Sequence, residues 1–246
     1  MLDPQITTVL FDLDGTLLPM ELEKFTNTYF GLLAKKAAPF GFQPEPLVAA
    51  VWKGTKAMVK NDGTETNDKR FWDTFAGEMG EEVLQLRPVF DGFYANEFHG
   101  AKAACGENPL ARRAIDGLKA KGYDVVLATN PIFPLVGVET RLSWVGLRPE
   151  DFSYITAHEN STTCKPNPAY YAEILRNTGK RPQECLMVGN DATEDTAALE
   201  QLEDSETIIV RIANLISNHG VLAALLAGII LAGILAATMS TADSQL

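Results

Sequence analysis

Positive charge is scarce: 21 lysines and arginines face 32 aspartates and glutamates, and the 246-residue chain carries a formal charge of -11. A nonspecific nucleic-acid binder needs a basic face to displace counterions, so no nucleic-acid partner is expected. Cysteine is scarcer still. Cys105, Cys164 and Cys185 cannot all pair internally and no two sit at metal-ligand spacing, which predicts reduced thiols in a cytoplasmic chain. There is no dinucleotide-binding glycine fingerprint and no Walker loop. The opening MLDPQITTVLF has neither a basic region nor a long apolar run, so no secretory signal is expected. What is present, 46% hydrophobic and 22% charged residues, suits a packed globule: one large domain, or a core carrying a smaller second one.

Short apolar runs ending in turn-forming residues predict an open α/β sheet. They are Thr8–Phe11, Val125–Ala128, Phe152–Thr156 and Cys185–Val188, with Ile208–Val210 as a fifth candidate. Continuous apolar runs suit strands buried on both faces, as in parallel sheets. Pro109–Lys121 and Pro168–Asn177 read as helices, each opened by a proline where the first turn tolerates it. A βαβ unit takes about 30 residues, so the chain between Asp12 and Thr129 holds roughly 80 too many and predicts an insertion. Nine of the twelve phenylalanines lie between Phe25 and Phe98, with Trp52 and Trp72, and are expected to build the insertion's own small core.

Asp12 and Asp14, in LFDLDGTLL, stand two residues apart where the first strand ends. Side chains at i and i+2 share a strand face, so both carboxylates can reach one site. A solvated strand-end turn uses the same residue types. Three later signals weigh against that plainer reading. Thr129-Asn130 follows the second run, Lys165-Pro166 precedes a helix, and Gly189-Asn190-Asp191 follows the fourth run. Asp195 comes one helical turn after Asp191, on the same face; alone it also suits a helix start, where the dipole favours a carboxylate.

With these four motifs in this order, residues 5 to 202 resemble the haloacid dehalogenase (HAD) superfamily, in particular its phosphatases. The resemblance implies an α/β protein with an open, mostly parallel sheet. Residues 1–18 and 105–212 would form the catalytic core and 19–104 an inserted helical cap domain. It implies a phosphomonoester hydrolase acting on a small phosphorylated metabolite. Asp12 would attack phosphorus and form an aspartyl-phosphate; Asp14 would protonate the leaving oxygen and then deprotonate the attacking water. Thr129, Asn130 and Lys165 would hold the phosphate. Asp12, Asp14, Asp191 and Asp195 cannot all stay ionised at close range without a cation. A hard divalent ion, Mg²⁺, resolves this, with Asp12, the Asp14 carbonyl and Asp191 as the family's direct ligands and Asp195 acting through water or by orienting neighbours. A halide leaves without a proton, so Asp14 favours phosphatase over dehalogenase. A sugar-phosphate mutase of the same superfamily stays open, as does a non-catalytic, membrane-associated fusion chain.

Other features are discounted. Asn61-Asp62-Gly63-Thr64 repeats part of the first motif without a paired carboxylate, and reads as a turn. His99, His158 and His219 are expected at the surface or in loops, and Cys164 lacks a histidine partner. Lys53, Lys56, Lys60, Lys69 and Arg70 read as a solvated face or as contacts to remote parts of a substrate. Residues 221–239, VLAALLAGIILAGILAATM, carry no charge and approach the roughly 20 residues that cross a bilayer. Any membrane association is expected only there. Gly220, Ala224, Gly228, Ala232, Ala236 and Ser240 make a small-residue ridge suited to helix packing. The stretch from about Leu202 resembles a segment of sodium/solute symporters of the proline type, in which Ser240 and Thr241 match sodium-site positions. Residues 213–246 are thus expected as a hydrophobic C-terminal helix: a fused transporter fragment, a true anchor, or a buried or oligomer-forming helix. Oligomeric state is not legible.

Overall fold

Four short strands carry the structure, a computed structural model in which residues 5–195 are described. They are β1 (Thr8–Phe11), β2 (Asp124–Leu127), β3 (Tyr154–Ile155) and β4 (Cys185–Val188). All pair in parallel, in the order β3-β2-β1-β4. Strand geometry sends alternate side chains to opposite faces. Val9, Phe11, Val125, Leu127, Leu186 and Val188 join one buried cluster, whereas Leu10, Val126, Ala128 and Met187 join another. Both faces are therefore dry, as the unbroken apolar runs predict. The expected strand Phe152–Thr156 narrows to Tyr154–Ile155, the two residues in paired register with β2, although Ser153 N and Thr156 N still donate to Val125 O (2.8 Å) and Leu127 O (3.0 Å).

The insertion after β1 holds four α-helices: α1 (Leu22–Ala37), α2 (Pro44–Val59), α3 (Asn67–Met79) and α4 (Arg87–Ala95). In α1, Phe25, Tyr29, Leu33 and Ala37 recur every four residues and are buried, which turns one stripe inward. The remaining helices are α5 (Pro109–Ala120), α6 (Leu135–Trp144), α7 (Pro168–Thr178) and the short α8 (Ala192–Asp195). Asn108 and Asn167 cap α5 and α7 by accepting from Leu110 N and Ala169 N, and proline follows each cap. Tyr170, Tyr171 and Ile174 of α7 cover the second sheet face.

The aromatic residues of the insertion do not form a separate core. Phe98 packs on Trp144 of α6 at 5.2 Å between ring centroids, and Phe133, just after β2, lies 5.7 Å from Tyr29 and 6.1 Å from Phe98. One apolar cluster runs from Val9 and Phe11 through to Phe75 and Phe93. Four helices bury their aromatic stripes more fully by sharing a core with the sheet than by closing on themselves.

A second attachment is polar. Asn67, fully buried at the start of α3, donates from its amide to Ser161 O (2.8 Å). Its Nδ2 lies 3.2 Å from Thr163 O, 3.3 Å from Pro131 O and 3.3 Å from Cys164 Sγ. Its Oδ1 accepts from Asn61 (2.8 Å). The first turn of α3 is thus fixed to the loops that follow β2 and precede Lys165.

The fifth strand at Ile208–Val210 and the hydrophobic helix over 213–246, with Ser240 and Thr241, lie outside the described residues. No helix among the described residues is long and apolar enough to cross a membrane.

Candidate active site

The candidate residues gather at the carboxyl ends of the strands, where open α/β sheets bind ligands: Asp12 just after β1, Thr129 just after β2 and Asp191 just after β4, with Lys165 on the loop between β3 and α7. Asp12 follows β1 directly and its amide donates to Val188 O of β4 (2.9 Å). Gly15 turns the chain with φ +84°, a conformation that favours glycine, and a Cβ there would meet Asn190 Nδ2 at 2.5 Å. Thr16 Oγ1 donates to Asn190 Oδ1 (3.0 Å), closing the first and fourth motifs against each other.

Lys165 is the hub. Its ammonium is fully buried and donates to Asp12 Oδ1 (2.9 Å) and to Asp195 Oδ1 (2.6 Å). Residues 153 and 30 positions away along the chain therefore meet on one nitrogen. Burial pushes the Asp12 carboxyl up to about 7; Lys165 opposes the rise, and Asp195 and Asp14 add to it. Burial alone would lower the Lys165 ammonium, yet Asp12 and Asp195 hold it well above its usual range. A Cβ at Gly189 would collide with the Asp195 carboxylate, so this glycine makes room for the contact.

Asp14 faces a partner that sequence reasoning missed. Arg141 of α6, fully buried, donates from Nη1 to Asp14 Oδ2, and its guanidinium stacks 4.3 Å over the Phe133 ring. Asp14 Oδ1 and Arg141 Nη2 are buried without hydrogen-bond partners. The signal available in LVGVETRLSW was an arginine three residues from Val138 and beside Leu142, on the apolar side of a helix. Thr129 is buried; its carbonyl accepts from Thr156 Oγ1 (2.6 Å) and Tyr170 OH (2.8 Å), which fixes the backbone after β2. Asn130 Nδ2 donates to Glu194 Oε1 (3.1 Å), a second unforeseen partner, and Asn130 Oδ1 is buried without one.

The four aspartates expected around one cation do not converge as a set. Asp12 and Asp195 meet on Lys165, and Asp14 meets Arg141. Asp191 is exposed, with Oδ1 accepting from Glu194 N (3.0 Å) and its carbonyl accepting from Asp195 N (2.8 Å). Among the described residues no group of three or more His, Cys, Asp or Glu is placed to hold a metal ion. The physical reason is that buried carboxylates take the nearest cation, here the two basic side chains. In donor chemistry the set still fits Mg²⁺, because its carboxylate and carbonyl donors are all hard oxygens.

Outside the centre, Asn61-Asp62-Gly63-Thr64 is a turn, with Thr64 N donating to Asp62 Oδ1 (3.2 Å). Lys53, Lys69 and Arg70 make ion pairs with Glu78, Asp73 and Asp62. Lys56 and Lys60 are exposed. The buried Cys164 thiol is pushed up to about 12 by burial, which fits an inert cysteine. His158 sits in a loop, as expected, but it is buried rather than at the surface.

A family model described as haloacid dehalogenase-like hydrolase matches residues 6–202. The phosphoglycolate phosphatase of Shigella dysenteriae serotype 1 is 26% identical over 204 residues, which cover 78% of this chain and 77% of that protein. Pyrophosphatase PpaX of Bacillus velezensis is 24% identical over 191 residues, with coverage of 78% and 77%. Among solved structures, 2-haloacid dehalogenase from Pseudomonas syringae pv. Tomato matches with a TM-score of 0.50 at 19% identity, covering 80% of this chain and 84% of that one. That last likeness is one of fold.

Proposed function

Because the chain belongs to the haloacid dehalogenase-like hydrolase family, we propose that it hydrolyses phosphate monoesters of small metabolites through an aspartyl-phosphate on Asp12. The observation that carries this reading is the Lys165 ammonium held between Asp12 and Asp195. It offsets charge on the nucleophile and leaves a cation where a phosphoryl group would arrive.

In the first half-reaction an Asp12 carboxylate oxygen attacks phosphorus, the ester P–O bond breaks, and the leaving oxygen takes a proton from Asp14. In the second, water attacks phosphorus, Asp14 takes its proton, and the bond to Asp12 breaks to release inorganic phosphate. Asp14 Oδ1 is the oxygen left for the travelling proton, since Oδ2 is engaged by Arg141. Thr129, Asn130 and Lys165 hold phosphate oxygens. Mg²⁺ would be held by Asp12, Asp191 and the Asp14 carbonyl, with Asp195 orienting its neighbours, and when bound it would offset the crowded phosphoryl charge. The helical insertion of α1 to α4 acts as the cap over this end of the sheet.

The phosphatase relatives support a phosphate ester over a halide. Release of inorganic phosphate from a panel of phosphorylated metabolites tests the proposal. Activity that survives Asp12→Asn, or that needs no divalent ion, refutes the mechanism. Unchanged turnover of an alkyl phosphate by Asp14→Asn refutes the acid. For the tail, the symporter-like resemblance supports a fused segment. Fractionating the chain with and without residues 213–246 tests membrane association, and equal solubility of both forms argues against it.

A further inference from the structure

A cavity of about 360 Å³ lies between the helical insertion and the loops after β2 and β3. That volume suits a compact organic molecule. Its walls are largely aromatic, including Tyr29, Phe71, Phe75, Phe90 and Phe133. Trp52 and Leu22 also line it, and both are unusually exposed for apolar side chains, at 52% and 71%. The cavity is one ring away from the proton donor: the face of Phe133 carries the Arg141 guanidinium, which is paired with Asp14.

Its polar groups are few and unbalanced. Asp68, Asp91 and Glu159 line it against one permanent cation, Arg87. Arg87 is already committed, with Nη2 donating to both oxygens of Asp68 (2.6 and 2.7 Å) and its guanidinium 4.8 Å from the Trp72 ring centre. Among the described residues neither Asp91 nor Glu159 forms an ion pair with a permanent cation; Glu159 accepts from Leu135 N (3.0 Å), and burial raises both carboxyls against the opposing pull of Arg87 at Asp91 and of that amide at Glu159. His158, more than nine-tenths buried, also lines the cavity. Neither of its ring nitrogens has a hydrogen-bond partner, although Nδ1 lies 3.4 Å from Asp68 Oδ1. A buried polar group of this kind calls for a ligand atom that hydrogen-bonds to it.

We propose that this cavity receives the alcohol part of the substrate, and that this part is an apolar, ring-bearing body carrying a cationic amine. The proposal rests on the phosphate-ester reading above. Aromatic walls attract both a ring and a cation. The two unmatched carboxylates favour an ammonium and repel a carboxylate, so a substrate of the phosphoglycolate type would leave the cavity unfilled and add like charge.

The test uses the full chain and two esters that differ only in charge, the O-phosphates of tyramine and of 4-hydroxyphenylacetate. We expect kcat/KM to favour the amine ester by about tenfold or more, and Asp91→Asn with Glu159→Gln to reduce that ratio to about threefold or less. Equal rates, or preference for the carboxylate ester, overturn the proposal. If neither ester is hydrolysed, the catalytic reading is at fault and the cavity is tested by binding alone. Saturable quenching of tryptophan fluorescence by tyramine and not by 4-hydroxyphenylacetate then supports the site, since Trp52 and Trp72 line it. Absence of tyramine binding overturns it.

Discussion

Arg141 and Asp14 stand 127 positions apart in the chain and close an ion pair at the end of the sheet. The arginine side chain is fully buried and that of Asp14 is 32% exposed. Removing one partner of a buried pair costs about 3–5 kcal/mol, and the partial exposure of Asp14 places Arg141→Met toward the lower end of that range. Urea unfolding measures the cost. A double-mutant cycle with Asp14→Asn should give clear non-additivity; strictly additive costs would mean that the pair carries no coupling.

Lys165→Met removes the only ammonium that joins Asp12 to Asp195 among the described residues. By analogy with the loss of one preorganised charge-stabilising donor, phosphate-ester turnover should fall by about 10²–10³-fold in kcat. Steady-state kinetics on a folded variant, verified by circular dichroism, checks this. A fall of less than about threefold would remove Lys165 from the mechanism.

His158 sets a pH window for stability. Burial, with a smaller contribution from Arg87, pushes its pKa down to about 4 against an ordinary 6.5, while Asp68 pulls the other way. The unfolded chain therefore binds the extra proton first as pH falls. The contribution is fully present above about 6.5 and is lost progressively down to about 4, up to roughly 3 kcal/mol in all. Urea midpoints measured across this range should fall more steeply in the wild type than in His158→Gln. Parallel curves would show that the histidine does not titrate as stated.

Gly189→Ala places a methyl group against the Asp195 carboxylate. Asp195 has to turn away from Lys165, so activity should drop by about tenfold or more while unfolding shifts by only about 1 kcal/mol. Turnover and melting measured on the same preparation separate the two effects. Intact turnover would mean that the Asp195 contact is dispensable.

Chelation should abolish phosphate release, and added Mg²⁺ should restore it, because phosphoryl transfer crowds negative charge beside the Asp12 and Asp14 carboxylates that a divalent ion offsets. Phosphate release measured with and without a chelator decides this. Unimpaired turnover in the chelator would exclude the ion.

The parallel sheet was legible because its strands are unbroken apolar runs, and β1 and β4 lie where such runs were read, at Thr8–Phe11 and Cys185–Val188. β3 was overcalled because β-propensity at Phe152 and Ser153 does not reveal how many residues an edge strand pairs. Asp12, Asp14, Lys165 and Asp195 were legible as candidates because short motifs fix spacing near a strand or helix end. Their partners were not. Arg141 choosing Asp14, and Glu194 choosing Asn130, are decisions of tertiary packing that leave no periodic trace in either segment. The burial of His158 was hidden for the same reason, since the ring packed edge-on to it, Phe71, comes from the insertion. The shared aromatic core shows the limit of composition, which indicates dense burial without indicating what is buried against what.

Asn67 makes the helical insertion something other than a flap on two strings. With its amide and side chain locked into the loop that ends at Lys165, the four helices cannot tilt as one plate without tearing a dry polar rivet. Breathing of the insertion is thereby confined to bending within the plate, away from residue 67. A pull on that rivet would be felt at the Lys165 ammonium, two residues beyond Thr163.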